Sequence, residues 1–187
     1  MKGQMSEDIT YIDRFLEGDE KGFEMLVMKY HNRALNIVYS LIGRDSESED
    51  IVQEAFCRVY NGLKSFKRSA SFATWFYRIV VNMTYDFLRK RRRSVVNDNV
   101  IENAVSDTPG PDDLLIIKER ERIINKALAA VPLRFRTALV LKDVEGLSYR
   151  KIAEVLKCRI GTVESKIYRA RQFLRKEVGN VRGFIHE

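Results

Sequence analysis

Apolar residues return at steps of three, four and seven along most of this chain, and nowhere does apolar–polar alternation persist long enough to build a strand. From Asp19, which follows Gly18 as an N-cap, the positions Phe23, Leu26, Val27, Tyr30, Ala34, Ile37, Val38 and Leu41 share one helical face, and Gly43 ends the helix. Ser46 and Glu49 have capping-box spacing and open a second helix over about residues 47–63. A third helix follows the turn-like Lys64–Ser71 and runs from about Phe72 to Arg92. Residues 95–113 hold two of the three prolines and no period, so they read as linker. Helical pattern resumes at Leu114, continues through Ala130, and restarts after Pro132 and again after Gly146. The expected fold is all-α. A helical bundle over residues 1–93 and a helix-turn-helix domain over 114–187 are joined by a flexible linker at 94–113.

Several function classes fall away. A transmembrane helix needs about 18 consecutive apolar residues, which this chain lacks, and the polar start MKGQMSEDIT is unlike a signal peptide. A cytoplasmic chain without membrane insertion is expected. Cys57 and Cys158, with His31 and His186, supply neither a disulfide framework nor the ligands of a structural zinc site. No metal, cofactor or catalytic residue is expected.

Charge is segregated. Residues 1–60 balance at −5, residues 61–93 at +8, residues 94–117 at −5 and residues 118–187 at +9, within a net +7. Two basic blocks separated by an acidic stretch fit two surfaces for a polyanion; solubilising charge alone would be scattered.

Within residues 146–176, Ser148 can cap a helix carrying Ile152, Ala153, Val155 and Leu156. A short turn precedes a second helix that starts at Gly161-Thr162. On it Val163, Ile167, Ala170 and Leu174 form a stripe facing the first helix, while Ser165, Tyr168, Arg169 and Gln172 face away, flanked by Lys166, Arg175 and Lys176. This is the pattern of a helix-turn-helix whose second helix enters the major groove. There Arg169 can donate two hydrogen bonds to a guanine edge, and Ser165, Lys166 or Gln172 can reach bases or phosphates. An ordinary helical hairpin would not need the segment's 9 basic against 2 acidic residues.

The helix over 72–93 gathers Phe76, Val80, Val81, Met83, Phe87 and Leu88 on its core side, and Trp75, Arg78, Asn82, Tyr85, Asp86 and Arg89 on the other. Aromatic faces beside cations suit unstacked bases, and the run from Arg89 and Lys90 to Arg93 suits a phosphate backbone. Alternatively, Trp75 tucks under the preceding loop. The acidic helix buries Ile51, Val52, Ala55, Phe56, Val59 and Leu63 and exposes Asp50, Gln53, Glu54, Cys57 and Asn61, a face better suited to a protein partner than to Mg²⁺.

Taken in order, SEDIVQEAFCRVYNGLKSF, FATWFYRIVVNMTYDFLRKRR and VPLRFRTALVLKDVEGLSYRKIAEVLKCRIGTVESKIYRARQFLRK resemble bacterial RNA polymerase sigma factors of the extracytoplasmic-function group, in their minimal two-domain form. That resemblance implies an initiation factor that catalyses nothing itself. Asp50, Gln53, Glu54 and Asn61 would grip the clamp helices of the largest polymerase subunit, with the flap of the second largest as a further contact. Lys64, Phe66, Arg68 and Ser71 of the loop, then Trp75, Arg78, Asn82, Arg89 and Lys90, would recognise and open the −10 element, one base flipping into a pocket near the loop. Thr162, Glu164, Ser165, Lys166, Tyr168, Arg169 and Gln172 would read the −35 element. Glu164 departs from the basic residue that relatives often carry there: a carboxylate accepts from a cytosine amino group or repels phosphate. The linker would thread the RNA exit path, and an anti-sigma protein would supply control. Two rivals stand beside this: a free-standing helix-turn-helix regulator, and a metal-dependent nuclease using Glu49, Asp50 and Glu54.

Overall fold

The computed structural model describes residues 2–43, 46–98 and 127–185, and every regular element among them is helical. The order is α1 (Lys2–Leu16), α2 (Lys21–Ile42), α3 (Glu47–Gly62), a 3-10 turn (Leu63–Ser65), α4 (Phe72–Asp98), α5 (Leu133–Asp143), α6 (Tyr149–Leu156) and α7 (Ile160–Ile185). The first four helices form one group and the last three another. Of the helix expected over 114–130, residues 127–130 are described and are helical; the rest of it and most of the expected linker lie outside the described residues.

The predicted stripe of α2 faces inward: Leu26, Tyr30, Ala34, Ile37, Val38 and Leu41 are buried, with Phe23 and Val27 half-buried. Tyr30 sits at the centre, its ring 5.2 Å from Phe72, 5.3 Å from Phe76 and 6.1 Å from Tyr77, so α2 and α4 meet through aromatic edges. Phe56 of α3 closes the layer, 5.0 Å from Phe76.

α1 was not anticipated from the sequence. It lies along α2, burying Ile12 and Phe15, and Gly22 permits the approach. A Cβ on Gly22 would stand 2.3 Å from the Tyr11 carbonyl oxygen and 2.7 Å from the Phe15 nitrogen. A buried carboxylate fixes the register: Asp8 accepts from the Tyr30 hydroxyl at 2.7 Å and from Lys29 Nζ at 2.7 Å.

Two local expectations need correction. Ser46 precedes α3 in helical conformation with no side-chain cap bond, so the capping box does not form. α4 runs to Asp98 and enters the expected linker, because residues 93–98 contain no glycine or proline to stop it. Asp19 does cap α2, its Oδ1 accepting from the Lys21 nitrogen at 3.0 Å, although the helix itself starts two residues later.

The two groups pack together, α5 on α2 and α6 on α4, around one continuous apolar core. Among the described residues, polar bonds cross between them. The Tyr85 hydroxyl lies 2.7 Å from Thr137 Oγ1; since Thr137 donates to the Leu133 carbonyl, Tyr85 is the donor here. Tyr77 donates to Glu145 Oε2 at 2.9 Å, Arg78 to the Glu154 carbonyl at 2.7 Å, and Arg136 to the Leu41 carbonyl at 2.7 Å.

Candidate nucleic-acid interface

α6 and α7 are separated by three residues. Ser148 caps α6, its hydroxyl accepting from the Lys151 nitrogen at 3.3 Å. Lys157 ends α6 in the left-handed conformation, φ 49°, where glycine is the usual occupant, and the Cys158 nitrogen returns to the Ala153 carbonyl at 3.0 Å. Val163, Ile167 and Ala170 of α7 are buried, and Leu174 is half-buried. The opposite face carries Thr162, Glu164, Ser165, Tyr168, Arg169 and Gln172, all exposed, with Lys166 half-buried. The helix-turn-helix is therefore present, with its recognition face open.

Tyr168 is 65% exposed, an aromatic ring with no fold-level use. Arg169 carries its guanidinium 5.7 Å from the Phe135 ring, and Arg134 lies 4.7 Å from the same ring, so one apolar plate steadies two cations. Ser165 spends its proton on the Gly161 carbonyl at 2.7 Å and so faces outward as an acceptor. A shallow groove of about 230 Å³ beside α7 is lined by Tyr149, Glu164, Tyr168, Arg171, Gln172 and Arg175. Glu164 thus sits on a rim shared with two arginines.

The aromatic-basic face of α4 divides. Trp75 is half-buried and stacks on Phe66 of the preceding loop, centroids 4.9 Å apart, as the tucked alternative predicts. Arg78 and Tyr85 are taken up by the second group through the bonds to Glu154 and Thr137. Asn82, Arg89 and Lys90 remain exposed, and Arg89 pairs with Asp86 at 3.0 Å. In the loop, Lys64 is exposed, Ser71 caps α4 by accepting from the Thr74 nitrogen at 3.2 Å, and Arg68 forms an ion pair with Asp13 of α1. Asp13 lies outside the sequence-based candidates, which start on α3.

On α3, Asp50, Gln53, Glu54 and Asn61 are all exposed, beside Cys57. Glu54 pairs with Arg58 one helical turn on, at 3.2 Å. Glu49 is exposed too, and no set of three or more His, Cys, Asp or Glu side chains is placed to hold a metal ion among the described residues. No described helix is long and apolar enough to cross a membrane.

Residues 26–94 match Sigma-70 region 2, and residues 121–174 match Sigma-70 region 4. The ECF RNA polymerase sigma-E factor of Haemophilus influenzae is 33% identical over 186 residues, spanning 93% of this chain and 98% of the relative. The RNA polymerase sigma-H factor of Pseudomonas aeruginosa is 33% identical over 179 residues, spanning 91% and 93%. Among solved structures, the sigma factor RpoE of Bartonella quintana, in complex with the anti-sigma factor NepR, superposes with TM-score 0.72 at 28% identity, covering 85% of this chain and 98% of that one. CnrH, in complex with the cytosolic domain of CnrY, has the same fold at TM-score 0.70 and 22% identity, over 93% and 98%. A helical region 2 and a helix-turn-helix region 4 in one chain define a transcription factor of the sigma-70 type. The chain belongs to the extracytoplasmic-function group of that family.

Proposed function

We propose that this protein is an alternative sigma factor: it joins core RNA polymerase and directs initiation at a particular set of promoters, while the polymerase performs the chemistry. One observation carries this reading. A single chain holds, in order, a region 2 helical group and a region 4 helix-turn-helix with its recognition face exposed. A free-standing regulator of the helix-turn-helix class has no need of the first.

In this reading α7 lies in the major groove at the −35 element. Arg169, Ser165, Lys166 and Gln172 contact base edges and phosphates, Thr162 and Tyr168 flank them, and Glu164 selects for an amino donor. The loop residues Lys64, Phe66, Arg68 and Ser71, with Trp75, Arg78, Asn82, Arg89 and Lys90, serve the −10 element as one strand is unstacked. Arg78 reaches DNA only when α6 leaves its place over α4, so promoter binding entails parting the two groups. Asp50, Gln53, Glu54 and Asn61 offer an acidic-amide face to the polymerase clamp. An anti-sigma partner is supported by the similar RpoE structure, which is a complex with the anti-sigma factor NepR. The cytoplasm is the compartment where these partners are found.

The test is transcription from a promoter library randomised at both elements, using bacterial core polymerase with and without this protein. Paired motifs at a fixed spacing, enriched only when the protein is present, are expected. Transcripts that do not depend on the protein, with a control sigma factor active, would leave the free-standing regulator.

A further inference from the structure

We infer that α1, which lies outside the residues matching region 2, is a working part of the −10 surface, with Asp13 acting as a positioning residue for the loop Lys64–Ser71. The inference rests on the sigma-factor reading above.

Each end of the loop is fixed by the body of the domain. At one end Phe66 stacks on Trp75, 4.9 Å between centroids, and at the other Ser71 caps α4. Between them Lys67, Arg68 and Ser69 are exposed, and Arg68 takes a left-handed backbone, φ 54°, which a residue with a side chain rarely adopts without support. Support comes from α1: the Arg68 guanidinium pairs with the Asp13 carboxylate across 55 residues of sequence. Asp8 and Ile9 of α1 also face Phe66 and Ser71 across a cleft of about 40 Å³, room for a water and not for a base. The middle of the loop is therefore placed by α1.

α1 can place it because α1 is itself fixed. Asp8 is 4% exposed and holds both Tyr30 and Lys29, Glu7 adds a second carboxylate to Lys29 at 2.8 Å, and Gly22 lets the two helix backbones touch. Asp13 stands five residues further along this anchored helix. A carboxylate there fixes the loop's cation at a set distance from Trp75, and with it the cleft that an unstacked base must enter or widen.

The experiment compares wild type with Asp13→Ala, Asp13→Asn and Asp13→Glu in transcription from two libraries, one randomised at −10 with −35 fixed, the other the reverse. Asp13→Ala and Asp13→Asn are expected to lose about two- to fivefold of −10 discrimination, the size of an exposed charge pair. Preference at −35 should not change, and Asp13→Glu should retain most of the wild-type pattern. In the free protein Trp75, the single tryptophan, should become more open to acrylamide quenching in Asp13→Ala as the loop loosens. Wild-type −10 discrimination in Asp13→Ala overturns the inference while leaving the sigma-factor reading intact, and so does equal loss at both elements. A wild-type protein that selects no −10 sequence overturns both.

Discussion

Gly22 is the residue on which the first helical group most depends. The atoms a new Cβ would strike, the Tyr11 oxygen and the Phe15 nitrogen, belong to backbone and cannot swing aside. Gly22→Ala should therefore lever α1 away from α2 and cost about 1–3 kcal/mol, as overpacking usually does. Hydrogen exchange would check it: amides of α1 should exchange faster, and those of α7 should not. Moving α1 would also pull apart a part-buried charge cluster that joins the two helices. Burial alone would lower the Lys29 pKa, yet bonds from Asp8 and Glu7 more than offset this and raise it. Without those carboxylates Lys29 would lose both of its counter-charges. Tyr30 belongs to the same cluster, its hydroxyl held protonated by burial and by the adjacent Asp8.

At the scale of the element, α7 does two jobs on opposite faces, and substitution separates them. Arg169 is exposed, with its guanidinium 5.7 Å from the Phe135 ring, so Arg169→Ala should leave the fold intact. If Arg169 reads a base, discrimination at one −35 position should fall by roughly 1–3 kcal/mol; a uniform loss over all sequences would make it a phosphate contact. The same two-faced geometry explains what the sequence disclosed. The stripes of α2, α3 and α7 were legible because a 3.6-residue repeat sorts core from surface when one side faces water. On α4 that sorting broke down: Tyr85 and Arg78 lie on the polar side, yet their partners Thr137 and Glu154 are on another domain, and periodicity does not distinguish solvent from a polar neighbour. α1 escaped for a related reason, since the polar Asp8 stands buried where the stripe through Ile12 and Phe15 should continue. The turn before α7 was placed correctly although its left-handed residue is Lys157, not the glycine that normally marks such a site. The roles proposed at −10 and toward the polymerase came from resemblance, because a solvated charge carries no local sign of what it will meet.

For the molecule as a whole, the contact between the two helical groups is the property most open to conditions. Burial raises the pKa of Glu145, with the Tyr77 hydroxyl and the Arg33 charge pulling it back. A carboxyl whose folded value is raised adds stability below its unfolded value and loses it as pH rises through the folded one. Packing between the groups should thus slacken as pH climbs from the ordinary carboxylate range toward neutrality. Glu145→Gln keeps an acceptor for Tyr77 and removes the titration, so its melting temperature should fall less over that range than the wild type's. Parallel pH profiles would show that Glu145 titrates as if in water. Salt acts differently. Each of the crossing bonds described above has an uncharged partner, either a carbonyl or a hydroxyl, whereas the blocks at 61–93 and 118–187 carry +8 and +9 and repel. Screening, with a Debye length near 10 Å at 0.1 M and about 3 Å at 1 M, spares those bonds and quiets that repulsion, while it weakens any grip on phosphate. Ionic strength thus moves both sides of one balance together: concentrated brine keeps the protein folded against its own other half, and dilute buffer frees each half to exchange that companion for a nucleic acid.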